Sequence, residues 1–197
     1  MFNTLAEYLR SKIDVSDAQL LEIEKLCTPK FAKRGDVLLK VNEVCESAFF
    51  VAKGCLRSFV LDKKNKPHIV QFAPENWWIT DRISLMTKEP AMFYIEAIED
   101  TEYIMVPEHF FDRLPSIVPG AERLTRELLL DIFRSIRKRL ISLLSATGED
   151  RYLDFIQSYP SLALRIPQKM IASYLGITPE SLSRIRKTIS APALGHH

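Results

Sequence analysis

Residues Ile177–Lys187 read "ITPESLSRIRK", a stretch whose chemistry predicts a helix with two different faces. Thr178 suits the N-cap, where its hydroxyl accepts from an unpaired amide of the first turn, and Pro179 suits the first helical position, where no N–H is needed. Leu182, Ile185 and Ile189 then recur at i, i+3 and i+7 and form one apolar stripe. Glu180, Ser183, Arg184 and Lys187 recur at i, i+3, i+4 and i+7 on the other side. An acceptor, a hydroxyl and two cations on one solvent-facing surface call for a partner with matching polar edges.

Immediately upstream, "PQKMIASYL" predicts a shorter helix opened by Pro167, with Ile171 and Leu175 as an i, i+4 apolar pair and the small Ala172 beside them. Gly176 follows at once, the usual way to end a helix with a left-handed backbone turn. Helix, three-residue turn containing glycine, capped second helix: this is the spacing of a helix-turn-helix, whose second helix enters the major groove of DNA. The competing reading is a plain αα-corner with a solvated outer face.

The chain has 197 residues, 47% apolar and 26% charged, ordinary values for a soluble globular protein of one large or two small domains. Its charge is unevenly placed. Residues 1–120 hold 15 Lys/Arg against 18 Asp/Glu (net −3), and residues 121–197 hold 12 against 7 (net +5), so the half with the helix pair suits a polyanion. No apolar run is long enough to span a membrane, and the N-terminus has no signal-peptide core, so the expected location is cytoplasmic. Cys27, Cys45 and Cys55 are odd in number and lack CxxC spacing, which argues against a disulfide framework or a metal site. The terminal Gly195-His196-His197 reads as a tag remnant.

At the other end, Leu5, Tyr8 and Leu9 mark a first helix, and Ser16 with Gln19 forms a capping-box start for a second, which Pro29 closes. The period then changes. "DVLLKV", "SAFFVAKG", "CLRSFVL", "HIVQFA", "FYIEAI" and "EYIMVP" are short β-branched and aromatic runs separated by Gly35, Gly54 and the turn "DKKNK", the pattern of hairpins in a small antiparallel barrel or sandwich over about residues 30–107. Phe49, Val51, Phe59, Phe72 and Tyr94 are expected in its core.

After Pro115 and Pro119 no helix breaker occurs until Gly148, which predicts a helix of about 26 residues, about 39 Å long. It carries two apolar stripes. Leu124, Leu128, Ile132 and Ile136 are expected to cover the chain's own barrel, while Leu129, Phe133, Ile136, Leu140 and Leu143 step 4-3-4-3, the seam of a helix pair in a homodimer. Beyond Gly148, "EDRYLDFIQSYP" reads as a helix and "LALRI" as a short strand.

Helices, a β-roll with turn glycines, one long helix and then "ITPESLSRIRK": in this order the chain resembles, over nearly its whole length, the CRP/FNR superfamily of bacterial transcription regulators. "KRGDVLLKVNEVCESAFFVAKGCLRSFVL" looks like the first half of that family's cyclic-nucleotide-binding fold, and "RYLDFIQSYP" like the connection into its DNA-binding domain. The resemblance implies an α+β chain: an N-terminal antiparallel β-roll flanked by helices (1–115), a long dimerisation helix (116–147) and a winged-helix-type helix-turn-helix (148–194). Glu180, Ser183 and Arg184 match the E-x-x-S-R pattern of the FNR branch, which implies half-sites related to TTGAT in an inverted repeat. RNA polymerase is an admissible partner, a membrane is not.

The chemistry of readout agrees. Arg184 can donate twice to guanine O6 and N7, Glu180 can accept from cytosine N4, and the Ser183 hydroxyl can serve several base edges. Gln168, Lys169, Thr178, Ser181, Arg186 and Lys187 are cast as phosphate and positioning contacts. Pro179 departs from the cationic or small residue that relatives often carry before the glutamate, and this leaves the outer base of the half-site open.

Relatives that bind cyclic AMP carry G-x-x-x-G-E followed by R-S/T-A. Laid on this chain, the cassette falls on "NWWITD" and "AMF", where Asn76 and Thr80 replace the glycines, Asp81 the glutamate, Ala91 the arginine and Met92 the serine. A phosphate taken from water needs a cation or several donors, and Ala91 and Met92 supply neither. Control by cyclic AMP in the usual mode is therefore not expected, and no cofactor or metal is assigned. The effector is open. An apolar ligand near Phe72, Trp78, Met92 and Tyr94 competes with plain packing, and His68 or His109 as a haem ligand competes with a surface histidine. No catalytic motif appears, so an enzyme is not expected. The rival class is a small-molecule-sensing or protein-interaction module whose helix pair is structural.

Overall fold

The computed structural model describes residues 1–190, so the Gly-His-His terminus and the last residues of the expected third domain lie outside it. Two helices come first. α1 (Phe2–Arg10) turns Leu5, Ala6 and Leu9 inward. α2 (Asp17–Glu24) starts at the expected capping box: the Gln19 amide donates to Ser16 Oγ at 3.4 Å, and Gln19 Oε1 accepts from the Ser16 amide at 2.9 Å.

Eight strands follow, β1 (Thr28–Ala32), β2 (Val37–Leu39), β3 (Ser47–Lys53), β4 (Leu56–Leu61), β5 (Pro67–Ala73), β6 (Trp78–Ile79), β7 (Tyr94–Ala97) and β8 (Thr101–Pro107). They form two antiparallel four-stranded sheets, ordered β1-β8-β3-β6 and β2-β7-β4-β5. Between the sheets Phe49 and Val51 of β3 meet Leu56 of β4 and Ile95 of β7. β1 was not expected, because Pro29 reads as a breaker; it lies at a sheet edge, where a missing N–H is tolerated. Gly54 turns β3 into β4 at φ +94°, and a Cβ there would stand 2.6 Å from the Asp100 carbonyl oxygen, so only glycine fits this turn. α3 (Arg82–Thr87), also not foreseen, is capped by Asp81, whose carboxylate accepts from the Ser84 amide at 3.2 Å.

α4 (His109–Ile117) leads into the long helix α5 (Glu122–Ser145), 24 residues and so about 36 Å. The stripe expected to cover the chain's own barrel does so only at its start: Leu124 and Leu128 pack on the α1–α4 core, while Ile132 and Ile136 are exposed. The reason is that α5 runs past the edge of that core.

Four more helices end the described chain: α6 (Gly148–Ser158), α7 (Leu162–Arg165), α8 (Gln168–Leu175) and α9 (Pro179–Ser190). α7 corrects the strand expected at "LALRI". Leu162 and Ile166, four apart, are buried and Leu164 between them is 89% exposed, which is helical and not alternating spacing. No strand follows β8 among the described residues.

These helices dock on the outer face of the second sheet. Phe59, Ile69 and Phe72 share one apolar cluster with Tyr152, Phe155, Leu162, Leu175 and Leu182. Polar ties reinforce it: Ser173 Oγ donates to the Pro67 carbonyl at 3.0 Å and accepts from the Ile69 amide at 3.2 Å. Arg139 of α5 donates to the carbonyls of Ile69, Val70 and Tyr174 and lies over the Tyr174 ring at 4.1 Å.

Candidate nucleic-acid interface

α8 ends at Gly176, whose φ of +66° is the left-handed cap, and Ile177 donates back to Ala172 at 3.0 Å. Thr178 then starts α9, its Oγ1 accepting from the Ser181 amide at 3.2 Å. Ala172 and Leu182 are fully buried where the two helices meet. The small alanine lets α8 come close, and the apolar stripe of α9 faces α6 and α8. A Cβ on Gly176 would come within 3.2 Å of Leu143, so the turn is also held against α5.

This packing turns Glu180, Ser183, Arg184 and Lys187 outward, all exposed on one flank of α9. Gln168, Lys169 and Thr178 are exposed beside them, and Ser181 and Arg186 are half-buried. Arg184 donates to Ser181 Oγ at 3.4 Å. The Glu180 carboxyl is held below the ordinary range by its own backbone amide and by the Thr178 hydroxyl, helped by Arg184 and by Lys66 of the β4–β5 turn. It is therefore an ionised acceptor at neutral pH. Lys66 was not foreseen here, because only tertiary docking of the hairpin on α8 brings residue 66 near residue 180.

The α5 seam is open. Leu129, Phe133, Ile136, Leu140 and Leu143 are all exposed, Phe133 and Ile136 to 63%. Such a row of large apolar groups on one helix is not a resting surface for a water-exposed protein.

At the cassette positions the carboxylate of Asp81 is buried and committed: one oxygen accepts from the Ser84 amide and the other from the Met92 amide at 3.0 Å. Ala91 is buried, and Met92 is 73% exposed. The apolar ligand site expected at Phe72, Trp78, Met92 and Tyr94 does not assemble. Phe72 packs on Phe155 and Tyr174, Trp78 on Tyr8, Phe50 and Phe111, and Tyr94 stacks on Phe59, since these side chains leave their strands on opposite faces. His68 faces Asp62 at 3.0 Å on the hairpin, and His109 starts α4. Burial, with Glu24 nearby, pushes the Cys27 thiol up to about 12; burial and Glu99 likewise raise that of Cys55. Neither is a thiolate near neutral pH.

Residues 29–116 match the cyclic nucleotide-binding domain family. The transcriptional activator protein Anr of Pseudomonas protegens is 25% identical over 167 residues, 78% of this chain and 66% of the relative, so the chain spans just under two thirds of that relative's length. Among solved structures, FixK2 from Bradyrhizobium japonicum superposes with a TM-score of 0.72 at 20% identity, over 83% of this chain and 84% of that one. A CRP/FNR-family transcriptional regulator from Thermus thermophilus does so with a TM-score of 0.65 at 16% identity, over 83% and 86%. Residues 29–116 are thus similar to cyclic nucleotide-binding domains, and the chain has the fold seen in these solved structures. No helix among the described residues is long and apolar enough to cross a membrane.

Proposed function

We propose that this chain is a DNA-binding transcription regulator that acts as a homodimer on an inverted-repeat site. One observation carries the reading: Glu180, Ser183 and Arg184 stand together on the exposed flank of a capped helix whose opposite stripe is buried at Leu182. An ionised carboxylate and a guanidinium one turn wide suit cytosine N4 and guanine O6/N7 on the floor of a major groove. The open α5 seam supports the dimer, because a two-fold pair of reading helices needs a two-fold interface. The similarity to Anr, named a transcriptional activator, points the same way.

The regulator is not controlled by cyclic AMP held in the usual cassette. The buried carboxylate of Asp81 already accepts two backbone amides, and Ala91 brings no cation to a phosphate. Selection of bound sequences from a random duplex pool tests the function. An enriched inverted repeat with two half-sites one helical turn apart is the expected result. A pool that stays random while the folded protein is present would remove the reading.

A further inference from the structure

Between α5, the docked helix-turn-helix and the loop before β6 lies a cleft of about 570 Å³, within the size range of small-molecule sites. Arg137 and Lys138 of α5 line it, with Arg151 of α6, Tyr159, Trp77 and, on its floor, Arg139. Among the described residues Lys138 faces Asp154 at 3.7 Å, and Arg134, also on the cleft wall, pairs with Asp131 at 3.0 Å. Arg139 gives its hydrogen bonds to three backbone carbonyls, and burial pushes its guanidinium pKa down. Arg151 donates to the carbonyls of Leu175 and Ala146. Among the described residues no carboxylate stands within ion-pair distance of Arg137 or Arg139. Arg139 and Arg151 are half-buried and Arg137 and Lys138 solvent-facing, and a cleft lined by cations with few carboxylates among them is favourable ground for an anion.

The wall beside the cations is aromatic. Trp77 is 38% exposed, and one side of its indole rests on Tyr159 at 5.3 Å between centroids. Cations alone would suit a carboxylate metabolite; cations next to an open indole suit a molecule with a phosphate at one end and a flat base at the other. We propose that this cleft is a nucleotide site, the phosphate held by Arg137, Lys138 and Arg151 and the base laid on Trp77. The cleft lies outside the roll interior and borders the dimer seam at Leu143, which lines it, while Lys138 sits about 160° around α5 from Leu140.

The position gives the site a consequence. α5 ends at Ser145 and α6 begins at Gly148, so only Ala146 and Thr147 join the long helix to the module that carries α9. A ligand bridging Lys138 and Arg151 fixes the angle across that joint and selects one placement of α9. This consequence rests on α9 being the DNA-reading helix; the binding site itself does not.

The test is a titration of the full chain with ATP and with GTP, read by tryptophan fluorescence, with inorganic phosphate as a separate arm. At least one nucleotide is expected to give a saturable quench. Trp77→Leu should remove most of that quench, and Arg137→Glu with Lys138→Glu should weaken binding about tenfold or more, which is 1.4 kcal/mol per tenfold. Arg137→Glu alone alters a solvent-facing side chain, so a loss of binding there is not a loss of fold. Failure of both nucleotides to saturate, affinity unchanged by the charge reversal, or phosphate binding as tightly as either nucleotide would each overturn the proposal. So would a charge reversal that weakens random duplex DNA and leaves nucleotide affinity intact, since the cleft would then be a backbone-binding surface. The titration contains no DNA, so a failed duplex selection and a failed nucleotide site are separate results.

Discussion

Arg165 of α7 holds Glu75 of the roll through two parallel hydrogen bonds of 3.0 and 2.9 Å, and the same guanidinium also reaches Glu99. Glu75 is fixed in turn by the Gly54 amide at 2.9 Å. The clamp ties the C-terminal helices to the turn between β3 and β4. Both side chains are about a third exposed, so solvent screening limits its worth, while the forked geometry raises it. Arg165→Ala should cost about 1 kcal/mol, seen as a lower urea midpoint. Trypsin should also cut faster near the Ala146–Thr147 joint. An unchanged midpoint with unchanged cleavage would show that the apolar cluster alone holds the module down.

The same contact predicts a pH dependence. Burial works to raise the Glu75 carboxyl, but the Arg165 hydrogen bonds and the Gly54 amide outweigh it and leave the group below its ordinary value. A carboxyl depressed in the folded state adds stability above its unfolded pKa, about 4.3 for glutamate, and loses it as pH falls through the lower folded value. Docking should therefore be constant from neutral pH down to about 5 and weaken below about 4. Glu75→Gln should be less stable at neutral pH and show a shallower acid limb. Urea midpoints measured at several pH values for both proteins check this, and parallel acid limbs would remove Glu75 as the cause.

What the sequence revealed and what it hid divide along one line. The Ser16–Gln19 capping box, the Gly176 cap and the Thr178 cap were legible because each is satisfied within four residues of itself. The outward face at Glu180, Ser183 and Arg184 was legible because period alone sets it once Leu182 is buried. "LALRI" misled because five residues are too few to separate a strand from one helical turn. Pro29 hid β1 because edge position is a property of the sheet and not of the strand. Arg139 and Arg165 gave no sign of their roles. Their acceptors lie 66 to 90 residues away for all but Tyr174, and no local spacing records that.

The seam on α5 yields a direct prediction. Fully burying a leucine, isoleucine or phenylalanine contributes about 1.5–3 kcal/mol, and five such residues lie exposed in 4-3-4-3 steps. Phe133→Glu combined with Leu140→Glu would place two carboxylates in that interface. The variant should elute as a monomer on a sizing column where the parent elutes as a dimer. Leu124 and Leu128, which pack on the chain's own core, are untouched, so far-ultraviolet circular dichroism should not change. A variant that still elutes as a dimer would move the interface elsewhere.

Arg184 and Lys187 share a flank of α9, yet they are expected to fail differently. A guanidinium aimed at guanine O6 and N7 discriminates between bases, so Arg184→Ala should lower the preference for the selected site over a substituted one by about 1–3 kcal/mol. An ammonium set against a phosphate does not discriminate. Lys187→Ala should weaken all duplexes alike and reduce the slope of log affinity against log salt by about one unit. Competition binding at three salt concentrations, with the selected site and a scrambled duplex, separates the two. If Arg184→Ala weakens both duplexes equally, the guanidinium is a phosphate contact, and the reading of the half-site falls to Glu180 and Ser183 alone.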